Sequence, residues 1–199
     1  PEIYAKKGIH AVYVGHPLAA AIPFEAPRAA ARAALGLGAD DTVVAVLPGS
    51  RRSEIKYIAP RLFATCAEMH RARPPLRFVV PVVPELRAAI EAVRATVAAD
   101  LPITLVDGRA HDALAACDVA IVASGTATLE AALFKRPMVV VYVMHILSWQ
   151  IGKCVHYQPW ISLPNILLRD HAVPELLQDG ATPEKIAAAA FRWLDDPAA

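Results

Sequence analysis

Net charge, cysteine and long apolar runs are all in short supply in this chain. Its 199 residues carry 20 Lys+Arg against 19 Asp+Glu, a formal net charge of +1. So balanced a chain exerts no long-range pull on nucleic acid, and no run of five basic residues supplies a local one. Three cysteines, Cys66, Cys117 and Cys154, lie far apart, without a CxxC pair or a histidine at zinc-finger spacing. They read as core thiols in a reducing compartment rather than as a disulfide framework. The longest uncharged run, 137–152, falls short of the roughly 20 apolar residues that a membrane span needs, and it contains His145, Ser148 and Gln150. No span is predicted. The first ten residues are not a signal peptide. The chain opens on Pro1 rather than Met, which reads as a segment of something longer.

What is abundant is apolar residue, 56% of the chain. That fraction excludes disorder and suffices for one sizeable core, with roughly 70% of the unfolded surface buried. Between Pro137 and Leu168 the only formal charge is Lys153, with Trp149, Tyr157 and Trp160 nearby. Two readings fit this stretch: aromatics and a lysine lying in a membrane interface, or a buried strand followed by a packed helix.

Short β-branched runs alternate with helical periods. Continuous apolar runs at 43–47, 78–82, 103–106, 119–122 and 138–143 predict strands covered on both faces, as in a parallel sheet. A shorter strand is predicted at 9–14, ending at Gly15-His16-Pro17. Leu86, Ile90, Val93 and Val97 form one helical stripe after Pro84, and Leu62, Phe63, Cys66 and Met69 another after Pro60. A last helix over 182–194 starts with Thr182 as N-cap and Pro183 in its first turn. The pattern predicts an α/β fold: a Rossmann-like open parallel sheet with right-handed crossovers and helices on both faces.

In such sheets ligands bind at the carboxyl ends of the strands, and two loops there carry suitable chemistry. The first, Leu47-Pro48-Gly49-Ser50-Arg51-Arg52-Ser53-Glu54, follows the 43–47 run. Gly49 permits a tight turn, Ser50 offers a hydroxyl, and Arg51 a planar cation matched to phosphate oxygens. It fits equally a helix start with Ser50 as cap and Arg51 as a solvated charge. The second, Ala123-Ser124-Gly125-Thr126-Ala127-Thr128-Leu129-Glu130, follows the 119–122 run. Its small residues leave backbone N–H groups open to a phosphate at a helix N-terminus, and Glu130 stands where a carboxylate can hold ribose hydroxyls. A capping box with Thr126 or Thr128 and Glu130 is the competing account. Together the loops point to a phosphate-bearing ligand. Asn165, in Ser162-Leu163-Pro164-Asn165, fits either a ligand contact or an ordinary turn. His16 fits a ligand contact or a cap. His70, His111, His145, His156 and His171 share no metal-ligand spacing, and no Gly-x-Ser-x-Gly elbow is present.

Four motifs in this order, Val14-Gly15-His16-Pro17-Leu18, Leu47-Pro48-Gly49-Ser50-Arg51, 123–130 and Ser162-Leu163-Pro164-Asn165-Ile166-Leu167, resemble the lipid-A-disaccharide synthases. Pro137-Met138-Val139-Val140 and Val173-Pro174-Glu175-Leu176-Leu177-Gln178 are similar too. The resemblance implies the C-terminal, nucleotide-binding half of a B-type glycosyltransferase fold. Residues 1–18 would be a hinge from a preceding domain, and 19–199 a UDP-sugar-binding domain lacking the family's final segment. The implied reaction transfers 2,3-diacylglucosamine from its UDP carrier to 2,3-diacylglucosamine 1-phosphate, releasing UDP. By position, Gly49, Ser50, Arg51, Ser124, Gly125, Thr126 and Thr128 would bind the UDP diphosphate and Glu130 its ribose. Arg51 and Asn165 would be the functionally required pair, and Gly15 and His16 a hinge or ligand contact. No cofactor and no metal are implied, since such folds neutralise the leaving group with helix dipoles and basic side chains. The acceptor pocket and general base would lie in the other half, so this chain alone would bind UDP weakly without turnover. The implied location is cytoplasmic, with peripheral contact to the inner membrane. One departure bears on that contact: Val143 follows Tyr142 where the family often has a basic residue, and the next helix keeps only Lys153. The rival readings are a muramyl-peptide N-acetylglucosaminyltransferase, a UDP-GlcNAc epimerase, and a non-catalytic nucleotide-binding module.

Overall fold

A computed structural model describes residues 2–12, 14–146, 148–150 and 159–196. Six parallel strands form one open sheet: β1 (Val43–Leu47), β2 (Arg77–Val82), β3 (Ile103–Asp107), β4 (Val119–Ala123), β5 (Met138–Tyr142) and β6 (Glu175–Leu177). Their order is β3-β2-β1-β4-β5-β6. β1 lies between β2 and β4, with Ala45 beside Val79 on one side and Ala120 on the other.

The apolar runs are continuous because each strand feeds two cores. Val44 and Val46 of β1 face one core, while Val43, Ala45 and Leu47 face the other. The first core is closed by α5 (Ala59–Ala72), α6 (Arg87–Val97) and α10 (Pro183–Asp195) through Leu62, Phe63, Met69, Ile90 and Ile186. The second is closed by α3 (Arg28–Ala34), α7 (Ala110–Ala116) and α8 (Thr126–Leu133) through smaller side chains such as Ala31, Ala113 and Ala131. Helices of alanine approach the sheet closely, so bulk on one face is balanced by tightness on the other. The remaining helices are short: α1 (Glu2–Ala5), α2 (Pro17–Ala21), α4 (Arg52–Tyr57) and α9 (Leu163–Leu168).

The helical stripes fall where their spacing puts them. Thr182 Oγ1 accepts the Lys185 N–H and Pro183 occupies the first turn of α10. A short 3-10 turn over Pro84–Leu86 leads into α6, so that helix begins a turn later than Pro84. The strand expected at 9–14 is a correction. Its described residues lie outside the sheet, and Ile9, Val12 and Val14 are exposed, since no neighbouring strand offers them a ladder. Strand β6 was not anticipated, being three residues long and half-buried. The start of the 137–168 stretch is the buried strand β5; residues 151–158 lie outside the described residues. Among the described residues no helix is long and apolar enough to cross a membrane.

Cys66 and Cys117 are buried and free. Burial pushes both thiols up, that of Cys117 to about 12 against the opposing pull of Arg136. Cys154 lies outside the described residues.

One buried cation ties the N-terminal part of the chain to the sheet. Arg32, 4% exposed, donates from Nε to the Ala116 carbonyl at 3.0 Å, from Nη1 to that of Gly38 at 3.1 Å, and from Nη2 to Asp118 at 3.0 Å. Asp118 also accepts the Val43 N–H at 2.8 Å and pairs with Arg28. Arg32→Met keeps the packing length but strands these acceptors. It is expected to cost about 3 kcal/mol, read as a lowered midpoint in urea unfolding with unchanged slope.

Candidate functional site

The sheet order creates the site. After β1 the chain crosses toward β2, and after β4 it crosses toward β5, so the loops leaving these two neighbours diverge. A crevice opens between them at the carboxyl edge, the position where doubly wound sheets bind ligands. A cavity of about 380 Å³ occupies it. Gly49, Ser50 and Arg51 line one wall, and Ser124, Gly125, Thr126 and Glu130 the other. Residues 81–83, with Gly108 and Ala110, close the end nearest β2 and β3; the sequence reading gave these no role, because nothing local distinguishes them.

The two loops are not equivalent. In the first, Gly49 adopts φ +107, and a Cβ there would meet Glu54 Oε2 at 2.3 Å and Glu54 Cβ at 2.7 Å. The glycine is what lets Glu54 fold back. Its Oε2 accepts the Ser50 N–H at 2.7 Å and the Arg51 N–H at 3.1 Å, and its Oε1 accepts from the Arg51 guanidinium at 2.9 Å. The N-terminus of α4 is thus already capped by a carboxylate from its own first turn, with Arg51, not Ser50, at the cap position. Arg51 keeps 77% of its side chain exposed. Glu54 is a site residue that sequence reasoning passed over, although a carboxylate three residues after a helix start is a usable signal.

In the second loop the donors are open. Gly125 caps α8, and the N–H groups of Gly125, Thr126 and Ala127 find no acceptor among the described residues. Nearby, Glu130 is 18% exposed, with His111 Nε2 3.7 Å from its Oε2. His111 in turn stands edge-on to Phe134.

Four residues singled out by sequence are not in the cavity wall. Thr128 is fully buried, its hydroxyl donating to the Gly125 carbonyl at 2.8 Å behind the loop. Asn165 is also fully buried. Its Nδ2 donates to the Val173 carbonyl and its Oδ1 accepts the Val173 N–H, both at 2.9 Å. Gly15 and His16 are exposed at the entry to α2, where His16 Nδ1 accepts the Leu18 N–H at 3.2 Å. Of the two earlier options for His16, this geometry is the cap.

A family model described as lipid-A-disaccharide synthetase matches residues 1–198. The chain belongs to that family. It is 54% identical over 195 residues to the lipid-A-disaccharide synthase of Albidiferax ferrireducens, covering 98% of this chain and 50% of that one. It is also 54% identical over 197 residues to that of Verminephrobacter eiseniae, with the same coverage. The chain therefore spans about half the length of the curated relatives it matches. Among solved structures, the ADP-heptose LPS heptosyltransferase II of E. coli superposes with a TM-score of 0.62 at 12% identity, covering 86% of this chain and 52% of that one. The UDP-GlcNAc 2-epimerase of Neisseria meningitidis, bound to UDP-GlcNAc, gives 0.60 at 12%, covering 85% and 41%. Anabaena HepE in complex with UDP and glucose gives 0.58 at 16%, covering 98% and 51%. These likenesses establish the fold: this synthetase-family chain has the Rossmann-like architecture shared by those glycosyltransferases and epimerases.

The first loop of this synthetase-family chain predicts its own sensitivity. Gly49→Ala forces a side chain into a left-handed backbone and against Glu54, and is expected to destabilise by about 2 kcal/mol. Urea unfolding of Gly49→Ala beside the parent chain measures it as a lowered midpoint.

Proposed function

We propose that this chain is the donor-nucleotide half of a lipid-A-disaccharide synthase, and that its crevice holds the UDP of UDP-2,3-diacylglucosamine. The observation that carries the reading is one cavity walled by both loops, with three backbone N–H groups at the start of α8 that find no acceptor among the described residues. Aligned donors and the helix dipole favour a diphosphate there. Arg51 stands across the cavity as an exposed cation. Glu130, one turn into α8, presents a carboxylate for the ribose hydroxyls.

In the reaction the bond between the sugar's anomeric carbon and the UDP oxygen breaks, and the acceptor's hydroxyl oxygen bonds to that carbon. Negative charge accumulates on the departing diphosphate. The α8 N–H groups and Arg51 are pre-set against that charge, so they stabilise the leaving group more than the intact donor. The hydroxyl's proton leaves to a general base in the other half of the enzyme. The product is a lipid A disaccharide 1-phosphate. Arg51 is the member of the Arg51–Asn165 pair able to touch the leaving group; Asn165 acts from behind, through the turn it holds. Residues 1–18 serve as the entry segment into this domain.

With half the cleft present, less ligand surface is covered, so the isolated chain binds UDP weakly and does not turn over. Isothermal titration with UDP tests this. Arg51→Ala should weaken binding by roughly 1.5–3 kcal/mol, about ten- to a hundredfold. Unchanged affinity would reduce Arg51 to a surface charge, and no UDP binding by the parent chain would defeat the proposal. Adding the other half should then restore transfer; binding without restored transfer would favour a non-catalytic module.

The same reading places the protein against the inner membrane's cytoplasmic face. Because Val143 stands where the family resemblance implies a basic residue, that contact should depend little on anionic lipid. Co-sedimentation should be nearly the same with neutral and with anionic vesicles. A steep rise with anionic content would contradict it.

A further inference from the structure

The motif Val173-Pro174-Glu175-Leu176-Leu177-Gln178 has no part in the cavity wall, yet one of its side chains is a meeting point of the fold. Glu175 opens β6 at the sheet edge. Its Oε1 accepts from the Ser162 N–H at 2.9 Å, the Ser162 hydroxyl at 2.6 Å and Asn165 Nδ2 at 2.9 Å. Its Oε2 accepts the Ile161 N–H at 3.0 Å. All four contacts are donors, and three of the partners come from the turn that starts α9. Ser162 and Asn165 are fully buried, so without this carboxylate they would lose an acceptor where water does not reach.

That turn is bonded to the second loop of the site. The Ser124 hydroxyl donates to the Ile161 carbonyl at 2.9 Å, and the Leu163 N–H donates to Thr128 Oγ1 at 3.3 Å. Thr128 Oγ1 in turn donates to the carbonyl of Gly125, the residue that caps α8. A continuous path of hydrogen bonds therefore runs from Glu175 through the 161–163 backbone to both ends of the loop 124–128. Charge-assisted bonds anchor its far end.

We propose that Glu175 is a positioning residue of the nucleotide site: it fixes the turn 161–165, and through that turn it holds the loop 124–128 in the shape that presents its N–H groups to a diphosphate. The inference rests on the proposed function for its ligand, but the coupling itself does not. It also gives Asn165 its place, as a donor to Glu175 and a two-way clamp on Val173 rather than a contact of the donor sugar.

Glu175→Gln preserves shape while turning one acceptor into a donor that faces other donors. Two readouts on this chain separate the possibilities. NMR-detected amide exchange should accelerate at Leu163 and at Thr128 while amides of β1 and α5 stay protected. UDP affinity, by titration well below the unfolding midpoint, should fall about five- to thirtyfold. In a Ser124→Ala/Thr128→Val background, which cuts both branches of the path, Glu175→Gln should change UDP affinity less than twofold. Faster exchange confined to 161–165, with Thr128 and UDP affinity unchanged, would overturn the inference, as would equal affinity losses in both backgrounds. A parent chain that binds no UDP would sink the proposed function instead, and the exchange at Thr128 would still decide the coupling.

Discussion

Everything at the carboxyl edge of this sheet follows from one constraint: β1 and β4 are hydrogen-bonded neighbours, yet the chain leaves them in opposite directions. Crossovers are right-handed and cannot cross one another on the same edge, so the two exits are pushed apart and a cleft is unavoidable. The cleft is a consequence of strand order before any side chain is chosen. What the side chains decide is its chemistry. The strands lock the order because each is apolar on both faces; β1 and β4 have no face that tolerates water, so neither can sit at an edge.

The two helix starts that face this cleft have been given different tasks. At α4 the N–H groups of Ser50 and Arg51 that lead into the helix are taken by Glu54, whose close return is possible only because Gly49 has no side chain. At α8 the donors have no acceptor among the described residues, and the hydroxyls nearest them point elsewhere: Ser124 to Ile161, Thr128 to the Gly125 carbonyl. A free N–H at a helix terminus remains uncompensated unless water or a ligand completes it. The same sealing of α4 fixes Arg51 beside a carboxylate, which aligns the guanidinium without hiding it. One loop therefore holds a cation in place, while the other keeps N–H groups without an acceptor among the described residues.

How much of this the sequence disclosed depended on the range of the forces involved. The strands at 43–47, 78–82, 103–106, 119–122 and 138–143 were legible because burial on both faces writes an uninterrupted apolar run. The two loops were legible because glycine and small residues after such a run have few other uses. Residues 9–14 were misread for the same reason: apolar residues in an extended stretch look like a strand until a partner for the ladder is sought, and here none exists. Strand β6 was invisible because three half-buried residues at an edge leave no pattern. Thr128 was expected at the diphosphate, and Asn165 was left between a ligand contact and an ordinary turn, because a polar side chain in a loop motif looks the same whether it faces the cavity or the core behind it. Family likeness marked them as important but not which way they point.

Direction is where the hidden part of the site lies. Glu175 sits 51 positions after Ser124 in the chain, yet parallel pairing of β5 with β6 brings its strand to the same edge as the loop after β4. A carboxylate at the start of a short edge strand would ordinarily be a solvated charge. Here the turn at 161–165 is folded over it, so its charge is used inside the fold instead. Gln178, at the other end of the same motif, does the equivalent for the exit of β5, exchanging bonds with both backbone groups of Met144 at 2.7 and 3.1 Å. Short edge strands have little packing to hold them, and two polar side chains that grip neighbouring backbone supply the registration that burial cannot. The loop 124–128 is thereby fixed from the far side of the sheet edge rather than from within the cleft. That arrangement lets the 123–127 side of the cavity be walled by small residues alone.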